Sequence, residues 1–168
     1  VFYGRVKLEQ ATALLKFQKK GIVQHLLHNL KYKGHETIST VLGEWLGNEL
    51  KMIDSYRNID VVVPVPLHKN RLKRRGYNQV AKFGIEIAEA LNATYIDSVL
   101  IKTTSTGTQV FKKRMARWND SNAVFSIVNE DLIKGKHILL VDDIITTGAT
   151  IEACANVLNK AKNIKISV

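Results

Sequence analysis

Ile138-Leu139-Leu140-Val141-Asp142-Asp143-Ile144-Ile145-Thr146-Thr147-Gly148-Ala149-Thr150 is the stretch on which the reading of the whole chain turns. Four apolar residues with the character of a buried parallel strand run into two adjacent carboxylates. A Thr- and Gly-containing loop follows, and a helix is expected from about Thr150 to Lys160, with Ile151, Cys154, Ala155 and Leu158 on one face. The carboxylates then sit at the carboxyl end of a strand, where open α/β sheets place their ligands. The loop offers backbone N–H groups at a helix N-terminus, and these, with the helix dipole, favour an anion such as phosphate. Gly148 lets the backbone approach closely, and Thr146, Thr147 and Thr150 supply hydroxyl donors. Asp142 and Asp143 can accept hydrogen bonds from sugar hydroxyls, so one loop would hold a sugar by its diol and by its phosphate. A strand followed by a capped helix explains the Thr/Gly loop. It does not explain two like charges at the end of a buried strand, which are costly without a cation or donors.

Working outward, Ile59-Asp60-Val61-Val62-Val63 is a β-branched run ending at Pro64 and reads as a second buried strand. Ile22, Val23, Leu26, Leu27 and Leu30 recur at helical spacing, predicting a helix from about Gly21 to Lys31. Val41, Leu42, Trp45, Leu46 and Leu50 predict a second helix, and Val80, Phe83, Ile87, Ala88 and Leu91 a third. Tyr95-Ile96 suggests a short strand, and Ile164 to Val168 begins another. Lys102 to Asn122 is polar, then basic, and reads as a long loop of the kind that is usually functional or mobile. Strands alternating with helices predict an α/β fold, a central mostly parallel sheet flanked by helices.

The chain has 168 residues, which suits one domain with a core of its own. No apolar run approaches the ~20 residues of a membrane helix, and Lys7, Glu9 and Gln10 break any signal-peptide pattern. Cys154 is the single cysteine, which excludes an intramolecular disulfide and a cysteine-rich zinc site. His25, His28, His35, His68 and His137 show no ligand spacing. A cytoplasmic location is the simplest expectation. Charge is the unusual feature. Lys and Arg number 25 against 15 acidic residues, a formal net charge of +10. Such an excess attracts polyanions, whether nucleic acid, an acidic surface or a phosphate-rich small molecule.

The segment from Ile138 to Thr150 resembles the thirteen-residue phosphoribosyl pyrophosphate signature of type I phosphoribosyltransferases, and it is not a Walker A loop. A second stretch narrows the likeness. Val63-Pro64-Val65-Pro66-Leu67-His68, followed by Arg71, Lys73, Arg74, Arg75, Gly76, Tyr77, Asn78 and Gln79, resembles the P-V-P-L…R-G-[FY]-N-Q element of ComF-type competence proteins, relatives of the amidophosphoribosyltransferases. Thr108-Gln109, Arg117, Asn119 and Ala123-Val124-Phe125 resemble that family's T-x-Q…R-x-N…A-F element, and Leu30-Lys31-Tyr32-Lys33-Gly34 its L-K-Y-x-G. The likeness spans about residues 22 to 168.

The resemblance implies a type I phosphoribosyltransferase-like fold and transfer of ribose 5-phosphate from phosphoribosyl pyrophosphate to a nucleophile, with release of pyrophosphate. Asp142, Asp143 and Arg71 are then the candidate catalytic residues. Thr146, Thr147, Gly148, Ala149, Thr150, Arg74, Arg75, Lys112, Lys113 and Arg117 are the candidate substrate-binding residues. Mg²⁺ is implied as cofactor, with Asp142 and Asp143 as its candidate ligands. By position, Pro66 to Gly76 is the pyrophosphate loop, and Lys102 to Asn119, with Lys112, Lys113, Arg114 and Arg117, is a loop that closes over the substrate. The alternative is a non-catalytic competence-associated module that binds single-stranded DNA or a DNA-uptake protein and uses the site for sensing a nucleotide or metabolite. A homodimer is a further expectation. The family often carries an N-terminal four-cysteine zinc ribbon, which these 168 residues lack. Either the ribbon was lost or the sequence is a fragment, and the strand pattern at Ile164 to Val168 predicts a chain that continues.

Overall fold

A computed structural model of the chain describes Phe2 and residues 4–102 and 124–168. Four strands form the central sheet: β1 (Val61–Pro64), β2 (Thr94–Tyr95), β5 (His137–Val141) and β6 (Lys165–Ser167), in the order β2-β1-β5-β6. All three pairings are parallel. Two further strands, β3 (Leu100–Lys102) and β4 (Phe125–Ile127), pair with each other antiparallel as a separate ribbon. The chain entering from the N-terminus runs beside β6: Gln10 bridges Ser167 in parallel, and Thr12 N donates to Val168 O at 2.9 Å.

The helices are α1 (Ile22–Tyr32), α2 (Thr37–Lys51), α3 (Lys69–Arg75), α4 (Ala81–Leu91) and α5 (Ala149–Leu158). The central strands are apolar on both sides because both faces of the sheet are covered. Val61, Val63, Ile138 and Leu140 point into one core with Ile151, Cys154, Ala155 and Leu158 of α5 and with Leu100 and Phe125 of the ribbon. Val62, Leu139 and Val141 point into the other, with Ile87, Ala88 and Leu91 of α4 and Leu50 of α2. Cys154 is fully buried in the first of these cores.

Three expectations are corrected. Pro66 to Gly76 is not a plain loop, because Lys69–Arg75 forms α3. His68 Nδ1 accepts from Asn70 N at 3.1 Å to cap its start, and Gly76, at φ 81°, ends it with a bond to Leu72 O. Lys and Arg are good helix formers, but a two-turn basic helix with little apolar face has no periodicity to betray it. The second correction is the buried face of α2. Val41 and Trp45 are exposed, while Ser39, Gly43, Gly47 and Leu50 are buried. α2 lies so close to α4 that an added Cβ at Gly43 would stand 2.7 Å from Phe83 O, and one at Gly47 2.7 Å from the Ala90 Cβ. Third, Lys102 ends a strand rather than opening a loop. Residues 103–123, which hold Thr108, Gln109, Lys112, Lys113, Arg114, Arg117 and Asn119, lie outside the described residues.

Candidate functional site

β1 and β5 are in register to their last residues, Pro64 opposite Val141, and Val65 N donates to Val141 O at 2.9 Å. The segments leaving these two strands therefore start side by side at the carboxyl edge of the sheet. One carries Asp142 and Asp143 and leads through Thr146 and Thr147 to α5. The other carries α3 with Arg71, Arg74 and Arg75. The structure thus brings together the starts of the two segments that the sequence marked separately.

Asp142 and Asp143 are both half-buried. Asp143 N donates to Asp142 Oδ1 at 2.8 Å, which turns the chain sharply after the strand. Burial pushes the Asp142 carboxyl up to about 6, and the neighbouring Asp143 charge adds to the rise. The Asp143 N–H, Lys31 and Lys102 act in the opposite direction. Lys31, from the last turn of α1, places Nζ 2.7 Å from Asp143 Oδ2.

The loop after the acidic pair ends at Gly148, which adopts φ 79° and is buried as the N-cap of α5. Glycine is required there because a side chain is strained in the left-handed region. Thr147 Oγ1 accepts from Ala149 N at 3.4 Å, while the side chains of Thr146, Thr147 and Thr150 stand at exposed positions. Arg5 braces the loop from the N-terminal segment, donating to Thr147 O at 2.9 Å and pairing with Glu152 of α5. The first-turn N–H groups of α5 have no partner within the helix, as at any helix start, and that of Ala149 is taken by Thr147 Oγ1.

The arginines of α3 divide. Arg71 and Arg74 are exposed. Arg75 turns inward: Nη1 donates to Gln79 Oε1, the guanidinium lies over the Tyr32 ring at 5.5 Å, and Nε is buried without a partner among the described residues. Asn78 Nδ2 donates to Val65 O at 3.1 Å, and the buried Gln79 donates from Nε2 to Tyr77 O at 3.2 Å. Tyr77 Oη donates to Leu30 O. Asn78 and Gln79 therefore hold the shape of the segment after β1. An apolar cavity of about 190 Å³ extends from leucines of α1 and α2, among them Leu26, Leu30 and Leu46, to Asp142 and Asp143.

Arg5 carried no signal in the sequence, since a lone arginine near a terminus belongs to no pattern. Lys31 stood inside a motif, but nothing in that motif says what the lysine touches. Among the described residues there is no group of three or more His, Cys, Asp or Glu able to hold a metal ion, and no helix long and apolar enough to cross a membrane.

Residues 79–168 match the family described as the phosphoribosyl transferase domain. The chain is 31% identical over 139 residues to the DNA utilization protein YhgH of Escherichia coli O157:H7, covering 79% of this chain and 59% of that protein. It is 31% identical over 131 residues to competence protein ComFC of Streptococcus pneumoniae, covering 78% and 54%. It is 30% identical over 102 residues to competence protein F of Haemophilus influenzae, covering 60% and 44%. The chain thus spans between about two fifths and three fifths of the length of these relatives. Among solved structures, glutamine phosphoribosylpyrophosphate amidotransferase from B. subtilis shares the fold with a TM-score of 0.50 at 20% identity, over 83% of this chain and 30% of that one.

Proposed function

The chain belongs to the phosphoribosyl transferase domain family, and on that footing we propose that the edge formed by β1 and β5 binds phosphoribosyl pyrophosphate and transfers its ribose 5-phosphate unit to a nucleophile. The observation that carries this reading is the acidic pair Asp142-Asp143, half-buried at the end of β5 and joined by the short segment Ile144 to Thr147 to a helix start capped by Gly148. In this reading the pair accepts hydrogen bonds from the ribose diol, and Thr146 to Thr150 hold the 5′-phosphate at the α5 N-terminus. Arg71 and Arg74 reach for the pyrophosphate, joined by Arg75 if it leaves Gln79, and by Lys112, Lys113 and Arg117 from outside the described residues.

The bond from ribose C1 to pyrophosphate breaks with its electron pair leaving on the pyrophosphate. The nucleophile forms the new bond to C1 and gives up its proton to the departing pyrophosphate or to water. Charge builds on the leaving group and on an oxocarbenium-like sugar, so positioning and charge stabilisation are the chain's contribution. Among the described residues no group of side chains cages a metal ion, so Mg²⁺ held by Asp142 and Asp143 would be of the kind that retains waters and is shared with substrate phosphates. Bound there, it would neutralise pyrophosphate charge. The apolar cavity reaching the acidic pair favours an acceptor with an apolar body.

Calorimetry with phosphoribosyl pyrophosphate and Mg²⁺ tests the reading. Replacing both Asp142 and Asp143 by Asn is expected to cost on the order of 3 kcal/mol or more of binding. Unchanged affinity in the double variant would remove the acidic pair from the site. Pyrophosphate release across a panel of nucleophiles then finds the acceptor.

A second reading is favoured by the relatives' names and by the exposed basic side chains around α3, Lys69, Arg71, Lys73 and Arg74. There the domain is a competence-associated module that binds single-stranded DNA through these side chains. Pyrophosphate release measured with and without single-stranded DNA distinguishes an enzyme from a module.

A further inference from the structure

Leu30, Lys31 and Tyr32 are consecutive, and each reaches a different part of the site. Leu30 O accepts from Tyr77 Oη, Lys31 Nζ sits 2.7 Å from Asp143 Oδ2, and the Tyr32 ring lies under the Arg75 guanidinium at 5.5 Å. The Tyr32 ring is also 5.0 Å from that of His28, one turn earlier on α1. The last turn of α1 is thereby tied to the segment after β1 on both sides of Lys31. The side chains of the Lys31–Asp143 pair are only 20% and 14% exposed. An exposed lysine loses its ion-pair energy to water and to its own freedom. A lysine on a fixed turn, partly shielded from water, keeps more of it.

We propose that Lys31 is a specificity-determining residue: its ammonium serves as the built-in counter-ion of Asp143, so that the free protein does not draw bare divalent cations onto the acidic pair. A ligand that brings its own hydroxyl donors and its own cation displaces Lys31, and a hydrated metal ion alone does not. This rests on the reading of Asp142 and Asp143 as the ribose and metal site. It adds that the carboxylate is held in a guarded form until the full ligand arrives.

The test uses Mn²⁺ alone as probe, titrated against the 168-residue chain and followed by the paramagnetic resonance signal of the free ion. Lys31→Met is expected to bind Mn²⁺ at least tenfold more tightly than the unsubstituted chain. Lys31→Arg, which keeps the charge, is expected to behave as the unsubstituted chain does. Adding Asp143→Asn to Lys31→Met is expected to remove the gain. Lys31→Gln repeats the measurement should the Met variant fail to fold, and a larger Mn²⁺-induced rise in Tm than in the unsubstituted chain is the second readout. Mn²⁺ affinity that is unchanged or weaker in both neutral variants overturns the proposal, as does a gain that survives loss of Asp143. Phosphoribosyl pyrophosphate binding by the unsubstituted chain is measured separately. If it is absent while Lys31→Met captures Mn²⁺, the ligand assignment fails and the role of Lys31 stands. If it is present and no Mn²⁺ gain appears, the reverse holds.

Discussion

Asp142 shows how a single residue can be set against the stability of its own fold. Its carboxyl is raised from 3.8 to about 6, first by burial and then by the Asp143 charge. Between those values the folded chain binds more protons than the unfolded one, so the contribution of Asp142 to stability is largest below the window and falls as pH rises through it. Asp142→Asn is therefore expected to stabilise the ligand-free protein at pH 7.5 by about 1–2 kcal/mol, with the gain vanishing near pH 4. Urea unfolding at the two pH values measures it, and a gain that is independent of pH would contradict the assignment. The same variant is expected to lose affinity for ribose phosphates, a trade of function for stability common at binding sites. Gly148 is a residue of the opposite kind, since its φ of 79° is what the local turn needs. Gly148→Val is expected to cost about 1–3 kcal/mol and to abolish ribose 5-phosphate binding while circular dichroism still reports a folded chain. Normal binding would reduce the loop to a helix cap. That glycine and the acidic pair were legible from the sequence because a strand, two charges and a small-residue turn occur in unbroken succession. Lys31 and Arg5 were not, because each arrives at the site from a distant part of the chain.

At the scale of elements, the central strands were readable because both of their faces are buried, so that burial leaves an uninterrupted apolar run. The ribbon of β3 and β4 escaped notice, since each strand has three residues and its partner lies beyond residues 103–123. α2 was readable as a helix but not in its packing. Periodicity selects large apolar residues, whereas close approach to α4 selects Gly43 and Gly47. Gly47→Ala is expected to cost about 1–2 kcal/mol of stability, read as a lower urea midpoint, the helix propensity of Ala offsetting only part of the clash. Gly43→Ala, which meets a backbone oxygen rather than a methyl group, is expected to cost more. A stabilised Gly43→Ala would mean that the two helices separate easily. α3 divides its arginines between surface and interior. Neutralising Arg71 and Arg74 is expected to weaken phosphoribosyl pyrophosphate far more than ribose 5-phosphate, as read by calorimetry. Equal losses would show that these side chains do not recognise pyrophosphate. Arg75→Ala is expected to lower stability as well, by releasing Gln79 and Tyr32.

For the whole molecule, the net charge of +10 acts at a distance that no pairwise contact reaches. If the basic side chains around α3 carry a nucleic-acid strand, removing Arg71 and Arg74 is expected to flatten the salt dependence of single-stranded DNA binding by about 0.7 units of slope for each phosphate left without its arginine. An unaltered slope would assign those charges to the small molecule alone. The general α/β design was visible early because alternation of strand and helix is a property of the entire chain. The pairing of two distant loops at one sheet edge was not, because register is decided by hydrogen bonds that no local pattern records. One buried atom turns this architecture into something that can be timed. The Cys154 sulfur sits in the core beneath α5, its thiol pushed up to about 12 by burial and by Asp142, so a thiol reagent cannot react with it in the closed protein. Labelling requires α5 to lift from the sheet, and α5 is the helix that follows the proposed phosphate loop. The rate at which the single thiol is modified therefore counts openings of that helix, and a ligand seated at the helix start slows the count without any change to the sequence.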